Sequence, residues 1–210
     1  FFSSNIFFYA TDQAYDALNS LVIPLLHTWS LSVEEQFYIF FPFLIIFLFT
    51  KFQSKIIKIL TIIIIISLIF SNLGSFFFES LNFYILPSRL WELLIGSVYF
   101  FYENDKKNEG KINNIKIFPL IGLFLILFSF IFINDKILHP SIITIVPIFG
   151  TLLILNFAEK RELVTGILSS KLFVAFGLIS YSLYLWHYPI FAFSRIHLFG
   201  SGSIYAQLLV

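Results

Sequence analysis

Three short segments hold most of the residue types able to do chemistry. In Pro24 to Tyr38 (PLLHTWSLSVEEQFY), a helical path puts Ser30, Glu34 and Tyr38 on one face at a spacing of four, with Glu35 beside them and His27 and Trp29 just before. A serine followed by acidic residues also fits an N-cap and a favourable helix dipole. In Leu86 to Gly96 (LPSRLWELLIG), Arg89, Glu92 and Gly96 share a stripe next to Trp91. A local Arg89–Glu92 ion pair is the plainer account of that stripe. In Gly177 to Pro189 (GLISYSLYLWHYP), Ser180, Tyr184 and His187 fall on one face, with Trp186 adjacent. An interfacial aromatic belt carrying one hydrogen-bonded histidine would produce the same pattern.

Together these residues offer carboxylates, hydroxyls, an arginine and histidines, but no metal-ligand set. The chain has no cysteine, and its four histidines lack paired ligand spacing, so no metal site is expected. The three tryptophans, Trp29, Trp91 and Trp186, fall one in each segment, where each could grip a sugar ring or anchor an interface. The residues singled out as able to act directly are Glu34, Glu35, Arg89, Glu92 and His187. Those expected to bind substrate are His27, Trp29, Ser30, Tyr38, Trp91, Ser180, Tyr184 and Trp186.

The elements that position these residues are apolar helices. Of 210 residues, 59% are hydrophobic, 12% are charged and 30 are phenylalanine, a balance that a soluble core cannot bury. Apolar stretches at Phe37–Thr50, Ile56–Phe70, Phe83–Phe101, Ile117–Ile133, Ile142–Phe157 and Leu172–Phe193 predict an all-α, polytopic transmembrane bundle of six full spans within one domain, residues 1–210. With no methionine, and with apolar runs at Phe1–Ala10 and Ser203–Val210, the chain reads as a fragment open at both ends.

Charge placement supports that count. Ten basic residues, Lys51, Lys55, Lys58, Lys106, Lys107, Lys111, Lys116, Lys160, Arg161 and Lys171, sit in alternate connections, while the other connections contain only Lys136 and Arg195. The positive-inside bias makes the lysine-rich connections cytoplasmic. Arg89 then lies within a span, about 9 Å below an outer edge at Phe83, and Glu92 about 14 Å below it. A charge at such depth needs a partner or a wet cavity, so a polar cavity open to the outside is expected. A net charge of +1 without a basic patch gives no case for nucleic acid.

HTWSLSVEEQFY at 27–38, LPSRLWELLIG at 86–96 and GLISYSLYLWHYP at 177–189, in this order, resemble the motifs of the acyltransferase 3 family of bacterial O-antigen and peptidoglycan O-acetylases. The stretch from His139-Pro140 to Gly150-Thr151 is similar to that family's linking span. The resemblance implies a multi-pass protein of the bacterial inner membrane, with no bound cofactor. It implies transfer of an acyl group, usually acetyl, from acyl-CoA (acetyl-CoA) to a hydroxyl of an envelope glycan acceptor such as lipopolysaccharide, exopolysaccharide or peptidoglycan. Such a transfer needs a base for the hydroxyl proton and a donor for the developing oxyanion. On that reading Glu34 or Glu35 could orient or deprotonate the alcohol, Arg89 could stabilise charge or keep Glu92 ionised, and Tyr184 and His187 could add hydrogen bonds. The family's first helix carries an arginine and a histidine about ten residues apart that are regarded as central to catalysis. That helix has no counterpart here, and His187 is not assigned to its role. A transporter or flippase for lipid-linked sugars, which also needs an outward polar cavity, is the competing expectation.

Overall fold

In the computed structural model, residues 2–11, 22–106, 117–134, 139–159 and 162–200 are described. Lys107, Lys111, Lys116, Lys136, Lys160, Arg161 and the run Ser203–Val210 lie outside them. Every regular element among the described residues is a helix: α1 (Ser4–Ala10), α2 (Thr28–Phe52), α3 (Ile56–Phe77), α4 (Glu79–Tyr84), α5 (Leu86–Lys106), α6 (Ile117–Phe132), α7 (Ile145–Phe157), α8 (Leu163–Leu168) and α9 (Lys171–Gly200).

The helices differ from the apolar runs in ways that matter for the site. α2 begins nine residues before Phe37, so the whole of TWSLSVEEQFY is helical. The connection expected at Ser71–Asn82 is instead the end of α3 followed by α4. α5 starts at Leu86, after an extended Ile85 (φ −97°, ψ 147°), because the residue before a proline avoids the helical region and Pro87 is tolerated in a first turn. Arg89 therefore stands in the first turn of α5, about 4.5 Å along its axis, and not about 9 Å deep. α9 continues past Phe193 to Gly200, with Pro189 inside it, so the connection expected at Ser194–Gly202 is helical as far as Gly200.

The six spans are not all recovered. Among the described residues one helical stretch, Thr28–Phe77, is long and apolar enough to cross a membrane, with a mean hydropathy of 2.5. Ile117–Phe132 and Ile142–Phe157 are shorter apolar helices. α5 and α9 have the length, at 21 and 30 residues, but not the hydropathy, because the polar residues of the second and third motifs lower it.

Packing shows that Thr28–Phe77 is a hairpin. The chain breaks at Phe52 (φ −141°, ψ 33°) and makes one 3₁₀ turn over Gln53–Lys55. Leu48 of α2 then shares a core with Ile56 and Leu60 of α3 and Leu94 of α5. α5 lies along both helices, with the Trp91 amide donating to Ser67 Oγ at 3.0 Å and Phe49 facing Phe101 at 5.8 Å between ring centres. α6 and α7 cross where Gly122 and Gly150 meet: a Cβ on Gly122 would stand 2.5 Å from the Gly150 carbonyl oxygen.

The interior is rich in small polar residues. Ser67, Ser71, Ser75, Ser88 and Ser129 are buried, whereas Phe43 (70% exposed), Phe130 (81%) and Leu178 (82%) point outward. This inverts the arrangement of a water-soluble protein and matches helix interfaces built from small side chains.

Candidate functional site at the start of α2

The first turn of α2 is the meeting point of the three motifs. No side chain caps it: His27 is the N-cap residue and makes no capping bond, and Ser30 lies inside the helix. The capping account of Ser30 and its carboxylates therefore fails. Ser30 instead turns towards α9. Its hydroxyl hydrogen-bonds the Tyr184 hydroxyl, which donates in turn to the His27 carbonyl at 2.7 Å. Glu34, one turn beyond Ser30 on the same helix face, is half-buried. Glu35 is half-buried beside it.

The His27 ring fills the space between α2 and α9. It is stacked on Tyr188 at 5.4 Å between ring centres and meets Tyr184 edge-on at 5.3 Å and His187 at 5.4 Å. His187 Nδ1 lies 2.6 Å from the Tyr184 carbonyl. A carbonyl can only accept, so Nδ1 carries the proton and Nε2 keeps its lone pair in the neutral ring. His187 remains exposed.

Trp29, the residue before Ser30, turns to the other side, towards α4 and α5. Its ring packs on Phe83 at 4.4 Å and Tyr84 at 5.6 Å. The Arg89 guanidinium sits 4.6 Å from the Trp29 ring centre and 5.1 Å from that of Phe83, an aromatic cradle for a cation. Arg89 Nε donates to the Phe83 carbonyl at 3.1 Å, and Nη1 pairs with Glu92 Oε2 at 3.7 Å. Glu92 Oε1 is buried without a partner. The ion pair expected from spacing is thus formed, and α4 supplies the backbone acceptor and aromatic wall that spacing does not reveal.

There are two packed clusters, one on each side of α2: Ser30, Glu34, Tyr184, His27 and His187 towards α9, and Trp29, Arg89 and Glu92 towards α5. Four predicted residues join neither in the expected role. Tyr38 is 63% exposed and two turns from Ser30, and Trp186 is 66% exposed. Ser180 is exposed and bonds its own helix at the Gly177 carbonyl, 2.8 Å away. Trp91 is fully buried between α3 and α5, where no sugar can touch its ring.

Sequence reasoning missed the supports. Asn5 of α1 accepts from Ser32 Oγ at 2.6 Å and from Gln36 Nε2 at 3.0 Å, and donates to the Tyr84 carbonyl at 2.9 Å. This explains Ser32 and Gln36 of the first motif as a brace between α1, α2 and α4. His139 and Pro140 close the other side. The Pro140 carbonyl accepts from Ser71 Oγ at 3.0 Å and Ser75 Oγ at 2.9 Å, and His139 Nδ1 lies 3.2 Å from Thr144 Oγ1. Burial first, and the nearby Arg89 charge second, hold His139 down to about 4. A histidine-proline pair before an apolar run was the available signal.

Among the described residues, helices gather hydroxyls, carboxylates, an arginine and histidines at one end, the make-up of a helical group-transfer protein. The chain belongs to the acyltransferase 3 family: that family's model, described as an acyltransferase domain, matches residues 1–209. The O-acetyltransferase OatA of Staphylococcus aureus strain NCTC 8325 / PS 47 is 34% identical over 211 residues, covering 94% of this chain and 35% of the relative. OatA of strain COL matches to the same extent. The chain therefore spans about a third of the length of the curated relatives it matches. No solved structure matches it.

Proposed function

We propose that this chain belongs to a membrane O-acyltransferase that moves an acyl group, most simply acetyl, from cytoplasmic acyl-CoA to a hydroxyl of an envelope carbohydrate. The observation that carries the reading is the arrangement around the first turn of α2, in a chain whose relatives are named O-acetyltransferases. Glu34 orients the acceptor hydroxyl or takes its proton as the oxygen attacks the acyl carbon. Arg89, held on Trp29 and Phe83 on the other side of α2, contributes a fixed positive charge to the field in which the thioester carbonyl becomes tetrahedral. The C–S bond then breaks and the CoA thiol leaves with a proton. Tyr184 and His187 complete the hydrogen bonding around the acceptor.

The exposed phenylalanines and buried serines favour the bilayer as the solvent for these helices, with the lysine-bearing turn Lys51–Lys55 on the cytoplasmic side and α4 on the outer side.

The test is made on the purified full-length protein with labelled acetyl-CoA. Glycan-dependent release of CoA is expected, with Glu34→Gln and Arg89→Gln each lowering turnover about 100-fold or more at normal protein levels. Unchanged turnover in both variants would remove these residues from the chemistry. Glycan movement without CoA release would indicate a transporter instead.

A further inference from the structure

Pro189 is buried inside α9, one residue beyond the ring on which His27 is stacked. A proline has no N–H, so the carbonyl four residues earlier, that of Leu185, lacks the donor an α-helix would supply. Leu185 follows Tyr184 and stands three residues before Tyr188, and both of those rings pack on His27, which sets the freed carbonyl beside the helix face that His27 covers, with no hydrogen bond completed. His27 is 3% exposed, and neither of its ring nitrogens has a partner. A buried ring with both donor and acceptor unmet is costly, and here it stands beside a carbonyl with an unfilled valence for hydrogen bonding.

We propose that Pro189 is a positioning residue which gives the Leu185 carbonyl to His27: the imidazole donates its single N–H to that carbonyl, locking one tautomer. The other ring nitrogen then keeps a lone pair as a hydrogen-bond acceptor on the side of Tyr184 and His187. The lock also pins the start of α2 to α9 next to the bond from Tyr184 to the His27 carbonyl, so the side chain and backbone of one residue are both held from α9. Only the kinetic part of this inference rests on the acyltransferase reading of the site.

The experiment uses full-length protein labelled with ¹⁵N-histidine in lipid nanodiscs, with the His27 resonances identified by their loss in His27→Gln. One protonated and one bare nitrogen, in a single tautomer, are expected in the wild type. Pro189→Ala restores an N–H that competes for the Leu185 carbonyl, and His27 should then average between tautomers. Acyl transfer should fall about 10- to 100-fold in Pro189→Ala, and the double variant Pro189→Ala with His27→Gln should be no slower than His27→Gln alone. An averaged tautomer in the wild type, an unchanged His27 signal in Pro189→Ala, or multiplying losses in the double variant would each overturn the proposal. If Pro189→Ala does not fold, the wild-type tautomer decides. If the wild type transfers no acyl group, the functional reading fails while the tautomer result stands by itself.

Discussion

At the residue scale, Ser30 and Tyr184 show how much one hydrogen-bonded pair accomplishes across 154 positions of sequence. The Tyr184 hydroxyl serves two groups of the α2 start at once, so Tyr184→Phe removes both bonds. A loss of about 1–2 kcal/mol is expected, read as a lower thermal unfolding midpoint of the solubilised full-length protein. Ser30→Ala added to Tyr184→Phe should cost little more, because both remove the same contact; fully additive losses would mean the pair is not coupled.

His139 offers a second test at this scale. Its folded value of about 4 lies below the 6.5 of a free histidine. Between those values the unfolded chain binds one more proton than the folded one, so stability is full above pH 6.5 and declines as pH falls towards 4. Unfolding midpoints measured from pH 7.5 to 4.5 should fall, and His139→Gln should flatten that slope. An unaltered slope in the variant would place the pH sensitivity elsewhere.

At the scale of elements, close approach governs the α6–α7 pair and open space governs α5. Gly122→Val puts its Cβ against the Gly150 carbonyl and Ile154, which the backbone cannot evade, so a loss of about 1–3 kcal/mol and separation of the two helices are expected. A Cβ on Gly96 meets nothing within 4 Å, so Gly96→Ala should be neutral or stabilising by up to about 1 kcal/mol through helix propensity. Unfolding curves of the two variants check this, and equal losses would refute the packing argument. Gly96 was read with Arg89 and Glu92 as one stripe, yet it lies on an open wall with Phe41, Ile45 and Phe100. A shared helical face is legible from spacing, but what that face meets is not.

For the whole molecule, the decisive feature is polarity turned inside out, which makes sidedness the prediction to check. These 210 residues contain no cysteine, so a single cysteine introduced here is read against the parent protein without it. Glu79→Cys in α4 should react with a membrane-impermeant maleimide on intact cells, and Gln53→Cys, in the turn between α2 and α3, only after permeabilisation. Labelling of both from the same side would overturn the topology. Arg89, His27 and His139 lie at the end opposite Lys51 and Lys55, so the same labelling also fixes the side to which the candidate site belongs.

The sequence by itself determined the helical class, the apolar character and the three segments that carry the polar groups, because hydrophobic content and a spacing of three or four residues are local properties. It also contained the Arg89–Glu92 pair, since both partners lie on one turn. Only the tertiary structure decided that Trp29 and Ser30, neighbours in sequence, face different helices, that Trp91 and Tyr38 leave the site in opposite directions, and that Asn5, Phe83 and His139 belong to it. The physical reason is that burial and hydrogen-bond partnership depend on which helix lies against which face. That choice is made by packing of Leu48, Leu60 and Leu94, and of Gly122 against Gly150, far along the chain from the residues they position.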